Sequence, residues 1–240
     1  MRIKDLTLTR SRSEMAGWPD GKFLIGTVNA HSFVAAQRDA AFADALLSAD
    51  ALLPDGISIV RACRWLGTEN APDEKIAGAD LFAYEMGKLE GKGGICFFLG
   101  SSPEVLARIR KKAAEVYPHI RVITYSPPYK PVFTAEENQA MVEAVNAAKP
   151  DLLWVGMTAP KQEKWLHEHW AELDLHGHAG AIGAVFDFFA GTVERAPQPW
   201  IDRGLEWLYR LIREPRRTWR RYLIDNPRFL WLVLQERLSK

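Results

Sequence analysis

Asp55 is the first residue of this chain whose type and setting suggest chemistry. It stands in Leu53-Pro54-Asp55-Gly56, where a short apolar run gives way to an amphipathic stretch. A carboxylate held at a strand tip is available as a general base. The same place suits a turn or helix-capping aspartate, and residue preference alone favours that plainer reading. Thr27 and Asn29 close the preceding apolar run, Phe23–Val28. They offer a hydroxyl and an amide to the same crevice, or they cap the helix that follows.

Other residues add weaker signals. Gly100-Ser101-Ser102 could cradle a diphosphate with backbone N–H groups at a helix start. The fuller Gly-x-Gly-x-x-Gly fingerprint is missing, which counts against a nicotinamide cofactor. Ala159-Pro160-Lys161-Gln162-Glu163 opens another helix. Pro160 and Glu163 suit a first turn structurally, while Gln162 could hydrogen-bond a sugar or a base. Asp187 lies between Phe186 and Phe188, as a buried hydrogen-bonded group or as a second site carboxylate. The six histidines include the pairs His167/His169 and His176/His178. With no cysteine or carboxylate constellation beside them they read as surface residues, not metal ligands. No Asp-x-Asp pair is present to hold a cation against a nucleotide diphosphate.

The last segment differs in character. From Arg195 to Lys240 there are 11 basic and 5 acidic residues, and four of the nine tryptophans: Trp200, Trp207, Trp219 and Trp231. Arginine interleaved with Trp and Tyr suits a membrane interface. It also suits an ordinary terminal helical cap, or a single-stranded nucleic acid. The tail alone does not decide among the three.

These residues need a scaffold. Apolar runs at Phe23–Val28, Ala51–Leu53, Gly94–Leu99, Ile120–Tyr125, Asp151–Gly156 and Ala179–Val185 alternate with amphipathic stretches. The latter run from about His31 to Ala49, from Ile57 to a cap at Gly67, from Pro103 to Val116, from Glu136 to Ala148 and from Lys161 to about Leu173. This predicts an α/β fold, a Rossmann-like and largely parallel sheet flanked by helices. Beyond Pro197 nearly unbroken helix is expected, interrupted at Pro215 and Pro227, so residues 1–195 form the core and 196–240 a helical appendage. Such a sheet binds ligands at the carboxyl ends of its strands, where Thr27, Asn29, Asp55, Gly100 and Gln162 all fall.

The bulk numbers set bounds. The 240 residues, 48% hydrophobic, can bury a sizeable core, and a net charge of +1 gives no global reason to expect nucleic acid. Cys63 and Cys96 sit in apolar runs and read as small core residues of a reducing compartment. The opening segment MRIKDLTLTRSRSEMAG has no apolar stretch of the secretory kind, and no run approaches the roughly 20 apolar residues of a membrane span. The expected location is cytoplasmic, peripheral to the membrane.

Taken together, the blocks Thr27-Val28-Asn29-Ala30, Leu53-Pro54-Asp55-Gly56, Ala77-Gly78-Ala79-Asp80-Leu81, Phe98-Leu99-Gly100, Ala159-Pro160-Lys161-Gln162-Glu163, Phe186-Asp187-Phe188, Arg195-Ala196-Pro197 and Glu206-Trp207-Leu208-Tyr209-Arg210-Leu211 resemble one family. In order and spacing they are similar to the WecG/TagA/CpsF glycosyltransferases over roughly residues 20–230. The resemblance implies an inverting, metal-independent transfer from a UDP-sugar to a polyprenyl-diphosphate-linked saccharide, with no cofactor. The donor sugar would be N-acetylmannosamine, its uronic acid or a glucose type, and the product a cell-surface polysaccharide. By position, Asp55 corresponds to the general base, with Thr27, Asn29 and Gln162 lining the pocket. The resemblance also implies that Arg210, Arg217 and Arg220 are supplied by the appendage, while Gly100 and Asp187 are expected substrate-binding residues on the readings given above. The implied partners are the donor, the acceptor and the inner face of the cytoplasmic membrane, with no nucleic acid; a homo-oligomer stays open. One departure is Gly180–Val185, where alanine and valine replace a more glycine-rich turn. A non-catalytic nucleotide-binding regulator that docks at the membrane is the rival reading.

Overall fold

A computed structural model describes residues 1–239. Six strands form one sheet: β1 (Phe23–Val28), β2 (Ala51–Pro54), β3 (Gly94–Gly100), β4 (Ile120–Tyr125), β5 (Leu152–Gly156) and β6 (His178–Ala181). Their order is β2-β1-β6-β5-β3-β4, and every pairing is parallel. All six strands therefore deliver their carboxyl-end loops to one edge. The register Thr27↔Leu53 and Val28↔Pro54 brings the ends of β1 and β2 level, so Asn29 and Asp55 leave the sheet side by side.

Alternation along the strands divides the core into layers. Cys96, Phe98, Leu152 and Trp154 point to one face. There they meet α4 (Gly78–Lys92), α5 (Pro103–Val116) and α8 (Gly183–Ala190) through Leu81, Phe82, Met86, Ile109 and Phe186. Phe97, Leu99, Leu153 and Val155 point the other way, onto α6 (Ala135–Ala148) and α7 (Lys161–His169). A third cluster joins α1 (Ala30–Ala36), α2 (Ala40–Leu47) and α3 (Ile57–Leu66) under the β1–β2 end. Both cysteines are buried and free, and burial pushes each thiol up.

The expected fold class holds, with local differences. The helix expected over His31–Ala49 is two helices, because Asp39 starts a new one by accepting from the Phe42 N–H at 3.0 Å. The apolar run Ala179–Val185 is strand only to Ala181. Its second half begins α8, since a continuous apolar run carries no period to separate the two. Helix α4 has no counterpart among the expected elements; five side chains of its 15 residues are buried, among them Leu81, Phe82 and Met86.

The C-terminal segment is α9 (Gln198–Asp202), α10 (Glu206–Arg213), α11 (Pro215–Trp219), a π turn (Arg220–Asp225) and α12 (Asn226–Leu238). Helix breaks fall at Gly204 and Glu214, not at Pro227. Pro227 has no N–H for the Leu223 carbonyl, and the helix passes over it through the π turn into the first turn of α12. The segment is uneven in burial. Helices α9 to α11 bury only Thr218. Helix α12 sends Phe229 and Val233 into the third cluster, with Phe229 edge-on to Phe33 at 5.5 Å. Glu236 accepts from the N–H groups of Ile3 and Lys4, both at 2.8 Å. No described helix is long and apolar enough to cross a membrane.

Candidate active site

Asp55 is fixed by its own backbone, whose N–H donates to the carbonyls of Val28 (2.9 Å) and Leu53 (3.0 Å). The Asn29 amide donates to the Asp55 carboxylate at 3.4 Å, while its oxygen accepts from the Ser32 N–H at 3.1 Å. Asn29 therefore caps α1 and reaches the Asp55 carboxylate at once. Burial pushes the Asp55 carboxyl up to about 6, with Glu206 adding to the rise. Arg221, the Asn29 amide and Lys75 act in the opposite sense. A carboxylate in such surroundings is ionised at neutral pH yet retains affinity for a proton.

Around Asp55 stands a charged network that sequence reasoning missed. Glu206, the first residue of α10, pairs with Lys75 at 2.9 Å and with Arg195 at 3.4 Å. Burial works against the Glu206 charge, but these two cations outweigh it and hold the carboxyl below its ordinary value. Arg195 also reaches Asp80 at 3.6 Å. Glu206 and Arg195 lie within the blocks that carry the family resemblance, so a signal for them existed. Lys75 and Arg221 offered none beyond their charge.

The remaining expected residues fall along the same sheet edge or on the appendage. Thr27 is half-buried beside β2, and its hydroxyl makes no hydrogen bond among the described residues. Gly100 ends β3 with φ +112°, and a Cβ there would run into the Gly156 carbonyl. Ser101 and Thr158, in the two neighbouring loops, hold left-handed backbone at φ +63° and +73°, a strain that concentrates at functional edges. Gln162 is buried; its oxygen accepts from the Met157 N–H at 3.1 Å, and its amide donates to Glu163 at 2.9 Å. Those bonds brace the loop after β5. The second oxygen of Glu163 is buried without a partner among the described residues, and burial pushes that carboxyl up to about 7.

Two of the three appendage arginines meet α8. Arg217 lies 3.5 Å from Asp187 and 3.1 Å from Glu214, and the Arg210 guanidinium sits 5.6 Å from the Phe188 ring centre. Arg220 is exposed and stacks on Trp219 at 5.3 Å. The appendage cation whose charge bears on Asp55 is the next residue, Arg221.

A cavity of about 300 Å³ opens beside this network, lined by Lys75, Arg195 and Ile57 among others but not by Asp55 itself. Among the described residues no three His, Cys, Asp or Glu side chains converge as metal ligands. The expectation of surface histidines fails at His178. It starts β6 at the opposite edge of the sheet, 4% exposed, with Nδ1 3.0 Å from Glu85 and Nε2 donating to the Pro19 carbonyl at 2.9 Å.

Comparison with known proteins fits this arrangement. The description "Glycosyl transferase WecG/TagA/CpsF family" matches residues 1–240. An N-acetylglucosaminyldiphosphoundecaprenol N-acetyl-beta-D-mannosaminyltransferase of Bacillus subtilis (strain 168) is 33% identical over 217 residues, 90% of this chain and 81% of the relative. A protein of the same description from Bacillus spizizenii (strain ATCC 23059 / NRRL B-14472 / W23) is 32% identical over 220 residues, 91% of this chain and 81% of its own. With its parallel sheet, its Asp55–Asn29 pair at the carboxyl edge and a match over its whole length, the chain belongs to the WecG/TagA/CpsF family of glycosyltransferases.

Proposed function

We propose that the protein moves a sugar from a UDP-sugar to a hydroxyl of a polyprenyl-diphosphate-linked saccharide, with inversion and without a metal ion. The observation that carries this reading is the Asp55 carboxylate just past the tip of β2, met by the Asn29 amide at 3.4 Å on the carboxyl edge of the sheet. As the acceptor oxygen attacks the anomeric carbon, Asp55 takes the hydroxyl proton. The new carbon–oxygen bond forms on the face opposite UDP, which inverts that carbon. The old bond breaks with its electron pair passing to the diphosphate of the departing UDP. On this reading Arg210, Arg217 and Arg220 of the appendage meet that charge with guanidinium hydrogen bonds, the task a cation performs elsewhere.

The activity for which the two Bacillus relatives are named supports a lipid-linked N-acetylglucosamine diphosphate as acceptor. Among the donor sugars considered, it favours N-acetylmannosamine. Exposed Ile212, Trp219, Leu223, Leu230 and Trp231, interleaved with Arg213, Arg216 and Arg220, support docking of the appendage on the inner face of the cytoplasmic membrane, where such an acceptor resides. Because α10 and α11 bury only Thr218, lipid contact can reorder them and bring their arginines over Asp55. The reading is tested by UDP release from a panel of UDP-sugars, with and without a short-chain prenyl-diphosphate N-acetylglucosamine. Acceptor-dependent release is expected, first from UDP-N-acetylmannosamine; no acceptor-dependent release from any donor removes the reading.

A further inference from the structure

The cavity beside Asp55 has an unusual lining. Arg12, Arg61, Lys75, Arg195 and Arg203 contribute five cationic side chains against three acidic ones. The acids are already engaged. Glu74 lies 3.3 Å and Asp80 3.1 Å from Arg12, Asp80 also holds Arg195 at 3.6 Å, and Asp202 accepts from Gln198 at 2.7 Å. These pairs fix the guanidinium groups of Arg12 and Arg195 in place. Arg61 and Arg203, from α3 and the end of α9, form no ion pair among the described residues. Two cations with no acid partner among the described residues, lining one cavity, can receive a multiply charged anion.

We infer that this cavity is the subsite for the diphosphate of the lipid-linked acceptor, with Arg61 and Arg203 as its free clamps. The inference rests on the transferase reading and adds to it where the acceptor's charge is held. The choice of the acceptor's diphosphate over the donor's follows the assignment of the departing UDP to the appendage arginines, which leaves this second cationic site to the other diphosphate, and three observations tie it to the site around Asp55. Ile57, which lines the cavity, is two residues from Asp55, and Lys75 both lines the cavity and acts on the Asp55 carboxyl. An acceptor whose diphosphate sits here therefore has its sugar ring, and the hydroxyl to be deprotonated, between the cavity and Asp55. About 300 Å³ accommodates a diphosphate with part of a sugar, not a whole lipid-linked saccharide. The cavity wall also includes Ile201 of α9, so part of its rim belongs to the weakly buried segment proposed to meet lipid.

The test uses the full-length protein with Arg61→Ala and Arg203→Ala combined. Both side chains are exposed and neither holds an acid, so the fold does not depend on them. An Arg108→Ala/Lys111→Ala protein, altered on the exposed face of α5, matches the charge change away from the cavity. Calorimetric titration with short-chain prenyl-diphosphate N-acetylglucosamine should show at least a tenfold weaker affinity in the cavity variant, with UDP affinity unchanged and both affinities unchanged in the α5 variant. Loss of UDP affinity instead would assign the cavity to the donor and overturn the inference, and so would acceptor affinity equal to wild type. Wild-type protein that binds the acceptor through this cavity yet never transfers a sugar would sink the transferase reading and leave the subsite standing.

Discussion

The side-chain amide of Asn29 reaches the carboxylate of Asp55 at 3.4 Å across the tips of two neighbouring parallel strands. The contact follows from the register of β1 against β2, and it joins a residue that looks like a helix cap to one that looks like a turn aspartate. A partly buried carboxylate is a costly group to keep ionised. Because burial lifts its folded value above the ordinary 3.8 to about 6, Asp55 favours folding most below about pH 4 and loses that contribution as the pH rises through 6. Asp55→Asn is therefore expected to raise the melting temperature at pH 8, by up to about 3 kcal/mol of stability, and to give no gain at pH 4. Calorimetric scans at the two pH values check this.

The same carboxyl sets the acid side of the rate profile. The rate of transfer per encounter, kcat/KM, is expected to fall below about pH 6 as Asp55 becomes protonated. Arg221 opposes that protonation, so Arg221→Ala should move the acid limb to higher pH, whereas Arg220→Ala, which loses only a stacking contact on Trp219, should leave it in place. Profiles of the two variants measured side by side separate them.

At the opposite edge of the sheet, His178 and Glu85 form a buried pair. Burial disfavours the charged ring, but the Glu85 carboxylate and the Pro19 carbonyl outweigh it and raise the His178 value above 6.5. Its contribution to stability is fully present below about pH 6.5 and is lost as the pH rises through the raised folded value. His178→Ala should cost about 3–5 kcal/mol at pH 6, because Glu85 is left buried and alone, and less at pH 9. Urea unfolding at both pH values reads the difference.

The appendage divides into an anchor and a cover. Phe229→Ala opens a hole against Phe33 and should cost about 3–5 kcal/mol. Trp231→Ala, 59% exposed two residues on, should change stability by no more than about 0.5 kcal/mol while weakening binding to anionic vesicles. Denaturation and vesicle sedimentation on the two variants check the assignment.

Strand positions were legible because each is a short, largely apolar run ended by a turn-forming or polar residue such as Asn29, Pro54, Gly100, Ser126 or Gly156, and five of the six predicted strands agree with the structure to within a residue or two. The exception, Ala179–Val185, lacks any internal polar residue to mark where strand gives way to helix. Asp55 and Asn29 were legible as strand-tip residues, since a parallel sheet sends every carboxyl end to one edge. The Lys75–Glu206–Arg195 network was not, because it joins residues 131 and 11 positions apart whose charges look ordinary one by one. Nor could spacing distinguish Arg220 from Arg221, since a π turn carries both and shifts the helical phase there.

Everything turns on Asp55 acting as the base, and the most direct measurement is acceptor-dependent UDP release by full-length wild type and Asp55→Asn, both in EDTA. The expected result is a wild-type rate that EDTA leaves unchanged and a folded Asp55→Asn protein slower by at least about 10²-fold. Near-wild-type release by Asp55→Asn, or a wild-type rate that vanishes until a divalent cation is restored, would contradict the account.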